Sequence, residues 1–92
     1  DVNSDLSSAS KIMIFPNPTS DIATIAFQGP EDSELEINVV NLLGEMVVSE
    51  RFTASSSLDY YNLNVSHLNS GIYNVVMVSN GTITTKQLQI IK

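Results

Sequence analysis

The chain has 92 residues, 42% of them hydrophobic, which suits one domain with a modest core and is too small for a two-domain enzyme. Ten acidic residues against four basic ones give a formal net charge of -6, which argues against nucleic acids and anionic membranes as partners. The absence of cysteine excludes disulfides and thiolate metal sites. No apolar run approaches the ~20 residues of a membrane-spanning helix, so direct membrane insertion is not expected. No signal peptide is recognisable, and we expect a mature form or an excised fragment.

The first segment, residues 1–11, contains four serines and few apolar side chains. Such a composition buries too little apolar surface to offset the entropy of ordering the backbone. We expect a flexible linker at 1–11 followed by one domain at 12–92.

From residue 12 onward, apolar and polar residues alternate with period two, and β-branched and aromatic residues are frequent. The pattern predicts seven strands, at 12–15, 22–28, 34–41, 46–52, 59–65, 72–78 and 83–91. No segment shows a helical apolar stripe. The predicted fold is all-β, a seven-stranded antiparallel two-sheet β-sandwich of the immunoglobulin-like kind. The predicted core consists of Ile25, Phe27, Leu35, Ile37, Val39, Leu63, Val65, Leu68, Tyr73, Val75 and Met77.

The first two predicted strands are joined by a proline-rich connector that contains Pro16, Asn17 and Pro18. Two prolines separated by one residue fix two φ angles and remove two backbone donors. They also favour an extended backbone at Asn17. This segment is therefore a stiff bend between strands, and it cannot lie within a helix or a central strand.

The later turns have equally specific residues. Asn80-Gly81 predicts a two-residue hairpin turn, in which both residues take positive φ. The segment 41–44 predicts a type I turn with Asn41 as side-chain acceptor and Gly44 in the left-handed conformation. Residues 66–71 read as a crossing between sheets. Tyr73 resembles a tyrosine corner, whose hydroxyl bonds to backbone across a turn.

Catalytic and metal-binding groups are scarce. His67 is the only histidine, which excludes a multi-histidine metal site and leaves a solvated turn residue as the simpler interpretation. The densest acidic patch spans residues 31–36 but lacks the spacing of a calcium loop, so it reads as the wet face of a sheet. We therefore predict no catalytic residues, no metal site and no cofactor.

Two apolar features leave alternatives open. Leu42 and Leu43 occupy the centre of a predicted turn, where polar residues are usual. They either fold over the open end of the sandwich or form an exposed contact for a partner. Tyr60, Tyr61 and Phe52 are either packing residues or an aromatic platform for a sugar. Exposure of both tyrosines beside polar groups would favour the sugar site, and burial would disfavour it.

Four motifs in this order resemble the type A C-terminal sorting domain of the type IX (Por) secretion system of Bacteroidetes. They are Phe15-Pro16-Asn17-Pro18 with Thr24-Ile25, the run from Asn41 to Val47, the run from Leu63 to Tyr73, and the run from Lys86 to Lys92. The resemblance covers residues 12 to 92. The family often has Asp at the first turn position, where this chain has Asn41. Both side chains offer an acceptor, so the turn should form either way.

The resemblance implies a non-catalytic signal that directs a cargo protein through an outer-membrane translocon to the cell surface. It implies folding in the periplasm, binding to a shuttle barrel protein and to a sortase complex, and removal by the sortase, which attaches the cargo to an anionic lipopolysaccharide. The cargo then stays at the cell surface or is secreted. A predicted edge strand at 83–91 is suited to pairing with a partner strand.

The expected sorting residues are those of the matching motifs: Pro16, Asn17, Pro18, Asn41, Gly44, Gly71, Tyr73, Lys86, Ile90 and Lys92. The alternative function is an accessory carbohydrate-binding or adhesive β-sandwich of a surface enzyme. A linker followed by a sandwich fits both functions, since a fold does not fix a function.

Overall fold

A computed structural model of the chain describes residues 11–92. Within that range it contains seven strands: β1 (Lys11–Phe15), β2 (Ile22–Gln28), β3 (Glu34–Val40), β4 (Met46–Thr53), β5 (Leu58–Asn64), β6 (Gly71–Ser79) and β7 (Thr82–Ile90). Each predicted boundary lies within one residue of the observed one. Lys11 begins β1, and the rest of the predicted linker lies outside the described residues.

The strands form two antiparallel sheets, one with the order β1-β2-β5 and the other with the order β4-β3-β6-β7. The predicted two-sheet sandwich is confirmed, and the described residues contain no helix. The immunoglobulin-like topology stays a prediction. Strands β1 and β7 are edge strands, and they lie on the same open side of the sandwich. The chain crosses from one sheet to the other between β5 and β6, as the turn residues at 66–71 predict.

The core lies between the two sheets and follows from the alternation along each strand. All eleven predicted core residues are buried. Both sheets contribute to it, with Ile25 and Phe27 from β2 in one sheet and Leu35 and Ile37 from β3 in the other. Burial of this apolar surface provides the main driving force for folding. Six further apolar residues complete the core: Ile12, Ala23, Val48, Ala54, Leu88 and Ile90.

The turns have the predicted backbone conformations. Asn80 and Gly81 connect β6 to β7 with φ of 52° and 79°, and Gly44 has φ of 87°. These values lie in the left-handed region that asparagine and glycine tolerate best. The bend after β1 contains two cis peptide bonds, at Phe15-Pro16 and Asn17-Pro18.

Candidate functional site

The predicted sorting motifs meet at one end of the sandwich. The bend before β2, the turn between β3 and β4, the β5–β6 crossing and the segment after β7 all lie there, because Phe15 pairs with Thr24, Val40 with Asn74, and Gly71 with Ile90. We call this the clasp end, formed by residues 16–21, 41–45, 65–71 and 90–92. The opposite end, formed by 29–33, 54–57 and 80–81, is the far end.

The bend between β1 and β2 binds the outer edge of β7. The amide nitrogen of Asn17 donates to the carbonyl of Gln87 at 2.9 Å, and its oxygen accepts the N–H of Gln89 at 2.9 Å. Thr19 continues the pairing: its N–H donates to the carbonyl of Gln89 at 3.0 Å, and its carbonyl accepts the N–H of Ile91 at 2.9 Å. Asn17 thus satisfies one donor and one acceptor as a neighbouring strand would.

This contact limits the expected pairing of β7 with a partner strand. The backbone groups of Gln87, Gln89 and Ile91 that point away from β6 are bonded to the bend. By the alternation of an antiparallel ladder, the groups of Ile83 and Thr85 point the same way, closer to the far end. The backbone edge of β7 that is open to a further strand therefore lies at residues 83–85, and not at the last residues of β7.

Lys92 is held on the opposite side of the last segment by the β5–β6 crossing. Its N–H donates to the hydroxyl of Ser70 at 3.0 Å, and its Nζ donates to the carbonyl of Ser66 at 2.8 Å. Together with Asn17 and Thr19, these serines fix the segment that follows β7 from two sides. Lys92 remains exposed, so its charge is presented at a fixed position on the surface.

The crossing itself is fixed by Tyr73. Its hydroxyl donates to the carbonyl of Asn69 at 2.7 Å, and its ring is buried, with 7% of the residue exposed. The predicted tyrosine corner is confirmed. Gly71 begins β6 with φ of 159°, and a Cβ at Gly71 would sit 3.8 Å from the Tyr73 ring, an ordinary contact. The side chain of Tyr73 therefore supports the clasp end from within the core.

The turn between β3 and β4 is organised by Asn41. Its side-chain oxygen accepts the N–H of Leu43 and the N–H of Glu45, each at 2.9 Å, and its amide nitrogen donates to the Glu45 carboxylate at 2.8 Å. Backbone bonds from Gly44 to Asn41 and from Asn41 to Glu45 close the turn. The predicted turn with an asparagine acceptor is confirmed.

Leu42 and Leu43 do not fold over the open end of the sandwich. They are 71% and 85% exposed, the latter being the most exposed large apolar side chain among residues 11–92. The interpretation of the pair as a cover for the core is therefore wrong. The apolar side chains stand out from a turn whose backbone is internally bonded, and this leaves them available for contact with another molecule.

The remaining two site residues lie on β7. Ile90 is 1% exposed and belongs to the core, so its side chain contacts the fold and not solvent. Lys86 lies on the same face of β7 by alternation but is exposed, because it sits at the open side between β7 and β1. A charged residue that points inward from an edge strand discourages pairing with further strands. Lys86, Met13 and Asn17 line a groove there.

A second groove of about 450 Å³ lies at the clasp end. Apolar side chains of Ile22 and Ile91 and the rings of Pro16 and Pro18 line it, together with Asp21. The prolines thus have a second role besides shaping the bend, because they provide part of a rigid apolar wall.

The acidic residues concentrate away from this site. Glu31, Asp32 and Asp59 lie at or near the far end, whereas Asp21 and Glu45 are the acidic residues of the clasp end. Backbone and hydroxyl hydrogen bonds from Ser55, with a further backbone bond from Tyr60, hold the pKa of the Asp59 carboxyl below its usual value. His67 is an exposed turn residue.

Residues 11–92 contain no cluster of three or more His, Asp or Glu side chains arranged to hold a metal ion. That part of the chain also contains no helix long and apolar enough to cross a membrane.

The two tyrosines that bear on the carbohydrate alternative differ. Tyr60 is 53% exposed on the outer face of the three-stranded sheet. Tyr61 is half-buried, packs against Phe52 with 5.3 Å between ring centroids, and donates to the Glu50 carboxylate. This hydrogen bond, partial burial and the Glu50 charge raise the pKa of Tyr61 to about 12. The pair therefore does not form a flat aromatic platform.

Sequence reasoning missed the residues that link the motifs to each other. Thr19, Ser66 and Ser70 contribute backbone or hydroxyl partners to the last segment, but each is a common turn residue with no distinguishing spacing. The side-chain bonds of Asn17 were equally out of reach, because they join residues about seventy positions apart. A polar residue between two prolines was the one available signal.

One family of known proteins matches most of the chain. A family model described as a secretion system C-terminal sorting domain matches residues 13–92, which includes all four motifs. No curated protein matches the chain. The family is generally non-catalytic and implies interaction with the type IX secretion machinery, with export to the cell surface or secretion. The chain therefore belongs to the family of C-terminal sorting domains, the signals of type IX secretion.

Proposed function

We propose that the clasp end is the surface that the secretion machinery recognises. The observation that carries this proposal is the convergence of the four motifs: they are separated along the chain but meet at one end, where hydrogen bonds join three of them. A rigid sandwich presents such a surface in one geometry, which lowers the entropic cost of recognition.

The residues of this surface have different roles in the proposal. Pro16 and Pro18 shape the groove beside Ile91, and Asn17 fixes the last segment against β7. Lys92 presents a positive charge on a chain of net charge -6. Asn41 and Gly44 shape the exposed turn. The surface is supported from within the fold by Tyr73, Gly71 and Ile90. Lys86 discourages strand pairing at the open edge beside β1.

We further propose the route that the family suggests. The domain folds in the periplasm, a shuttle barrel protein and the outer-membrane translocon bind it, and a sortase complex then removes it at the cell surface. The serine-rich stretch before Lys11 is the proposed place of cleavage, since segments of small and polar residues are preferred sites of proteolysis. The proposed domain spans residues 12–92.

The test is a fusion of a periplasmic reporter to residues 1–92, expressed in a type IX-competent cell and in the same cell without its translocon. The account expects the reporter outside the first cell only, with a mass that shows loss of the domain. Export from both cells, or from neither, would contradict the sorting function. Export with the domain still attached would contradict the removal by the sortase but not the sorting function.

Deletion of residues 89–92 is a poor test of signalling, because it removes Ile90 from the core and also removes the hydrogen bond between Gln89 and Asn17. Lys92→Ala is cleaner. It removes one exposed charge and one hydrogen bond to Ser66, and exposed substitutions usually change stability by about 0.5 kcal/mol or less.

The carbohydrate-binding alternative has one observation in its favour, the exposed ring of Tyr60. Its neighbours directly across the sheet, Ala26 and Met13, are apolar, and the polar pair on the same face, Thr24 and Asn62, is hydrogen-bonded to itself. Sugar sites combine an aromatic face with convergent polar groups. The sorting function is therefore the better supported of the two.

A further inference from the structure

We propose that the turn at residues 41–45, here called the leucine turn, is a preformed apolar plug that inserts into a pocket of a protein of the secretion machinery. The inference rests on the proposed sorting function and adds to it the contact surface and the chemistry of the partner. It is carried by the exposure, the rigidity and the internal hydrogen bonding of this turn.

Exposure alone does not distinguish the leucine turn, because other large apolar side chains are also exposed. Its internal bonding does. The N–H groups of Asn41, Leu43, Gly44 and Glu45 all donate within the turn. A turn usually needs water for these donors, and covering an unsatisfied donor is costly. At these four residues the leucine turn can therefore enter an apolar pocket without leaving an N–H group unsatisfied.

The turn is also fixed before binding. Asn41 makes three side-chain hydrogen bonds within five residues, and strands β3 and β4 anchor both ends of the turn. A contact that is already ordered in the free molecule loses less entropy when the partner binds. Leu42 and Leu43 therefore have the properties of an anchor.

The charges around the turn define the partner. Glu45 is exposed beside the leucines, and the whole chain has a net charge of -6. A two-fold contact with a second copy would bring Glu45 close to the Glu45 of that copy, and an anionic membrane would repel a chain of net negative charge. The complementary occupant is a protein pocket with apolar walls and a basic side chain at its edge, where it meets Glu45.

The first experiment measures export of the reporter fusion that carries Leu42→Ser and Leu43→Ser together. The matched control carries Leu58→Ser and Tyr60→Ser, two exposed residues on β5 away from the clasp end. We expect the leucine pair to lower the exported fraction about tenfold or more, which corresponds to about 1.4 kcal/mol of binding free energy. We expect the control to be exported normally and both melting temperatures to be nearly unchanged.

The second experiment tests the charge. Glu45→Lys should lower export, whereas Glu45→Gln, which keeps an acceptor for Asn41, should lower it less, and Glu31→Lys at the far end should have little effect. Equal effects of Glu45→Lys and Glu31→Lys would contradict a local basic group on the partner.

Three results would overturn the proposal. The first is wild-type export of the Leu42 and Leu43 variant, while the unaltered fusion is exported, which leaves the sorting function intact. The second is dimerisation of the chain in sedimentation that the leucine substitutions abolish, which would assign the turn to a second copy. The third is flotation with anionic vesicles that depends on the two leucines, which would assign it to a membrane. If the unaltered fusion is not exported, the sorting function fails and this inference fails with it.

Discussion

The side-chain oxygen of Asn17 accepts the backbone N–H of Gln89 at 2.9 Å, and this bond joins the bend after β1 to the last strand of the other sheet. The Asn17 amide nitrogen completes the pair at the Gln87 carbonyl. An asparagine between two prolines thus takes the place of a neighbouring strand along part of β7. This single side chain connects the first sorting motif with the last one.

Replacement of Asn17 by Ala should loosen the last segment of the chain without unfolding the sandwich. Each lost side-chain hydrogen bond contributes about 1 kcal/mol, so the free energy of unfolding should fall by about 1–2 kcal/mol. Hydrogen exchange provides the sharper measurement. The amide of Gln89 should exchange faster in the variant, and the amide of Gly29, bonded to Ser57 at the far end, should not. Equal protection of the Gln89 amide from exchange in both proteins would show that the Asn17 side chain does not hold β7.

The tyrosine corner predicts a small and specific loss of stability. Tyr73→Phe removes the hydroxyl that donates to the Asn69 carbonyl and keeps the buried ring. We expect a loss of about 1 kcal/mol in denaturant unfolding, with the slope unchanged. Tyr60→Phe is the matched control, because Tyr60 is exposed, and should change stability by less than about 0.5 kcal/mol. Equal losses for the two variants would mean that the hydrogen bond of the tyrosine corner does not contribute to stability.

Leu68 closes the core beneath the β5–β6 crossing and is 8% exposed. Leu68→Ala should lower the free energy of unfolding by roughly 2–5 kcal/mol, through lost burial and the cavity left behind. The more conservative Leu68→Met should cost less than about 1.5 kcal/mol, because it nearly conserves volume. If the alanine variant had the same denaturant midpoint of unfolding as the wild type, burial of this side chain would be contradicted.

The raised pKa of Tyr61 has a consequence at high pH. The folded state holds the phenol protonated, because its hydroxyl donates to Glu50, whereas an unfolded tyrosine ionises near 10. The stabilisation is therefore complete below pH ~10 and is lost as the pH rises from about 10 through about 12. Absorbance of the phenolate should show an ionisation step at about pH 12, and Tyr61→Phe should remove that step. A high-pH step that survives in the variant would assign it to another tyrosine.

The sequence predicts local structure here far better than it predicts contacts between distant segments. Period-two alternation from residue 12 locates all seven strands, and Asn80-Gly81 and Asn41 to Gly44 specify their turns through local backbone chemistry. The meeting of Asn17 with Gln89 and of Lys92 with Ser66 depends on how the two sheets are stacked. No periodicity along the chain encodes that stacking.

The leucine turn shows the same limit of prediction from sequence. A pattern of residues identifies Leu42 and Leu43 as unusual for a turn, but it does not say whether they face the core or the solvent. That choice depends on the length of the β3–β4 hairpin relative to the core. The hairpin carries the turn beyond the last buried residue of β3, Val39, and the leucines emerge into solvent.

The most direct test of the central claim compares Lys92→Ala with Lys11→Ala in the reporter fusion. The two substitutions remove the same charge, one at the clasp end and one at the start of β1 near the far end, where Lys11 pairs with Gln28. Export of the Lys92 variant should fall several-fold, export of the Lys11 variant should match the wild type, and both should melt at nearly the wild-type temperature. Equal export of the two variants, at the wild-type level or below it, would contradict recognition at the clasp end.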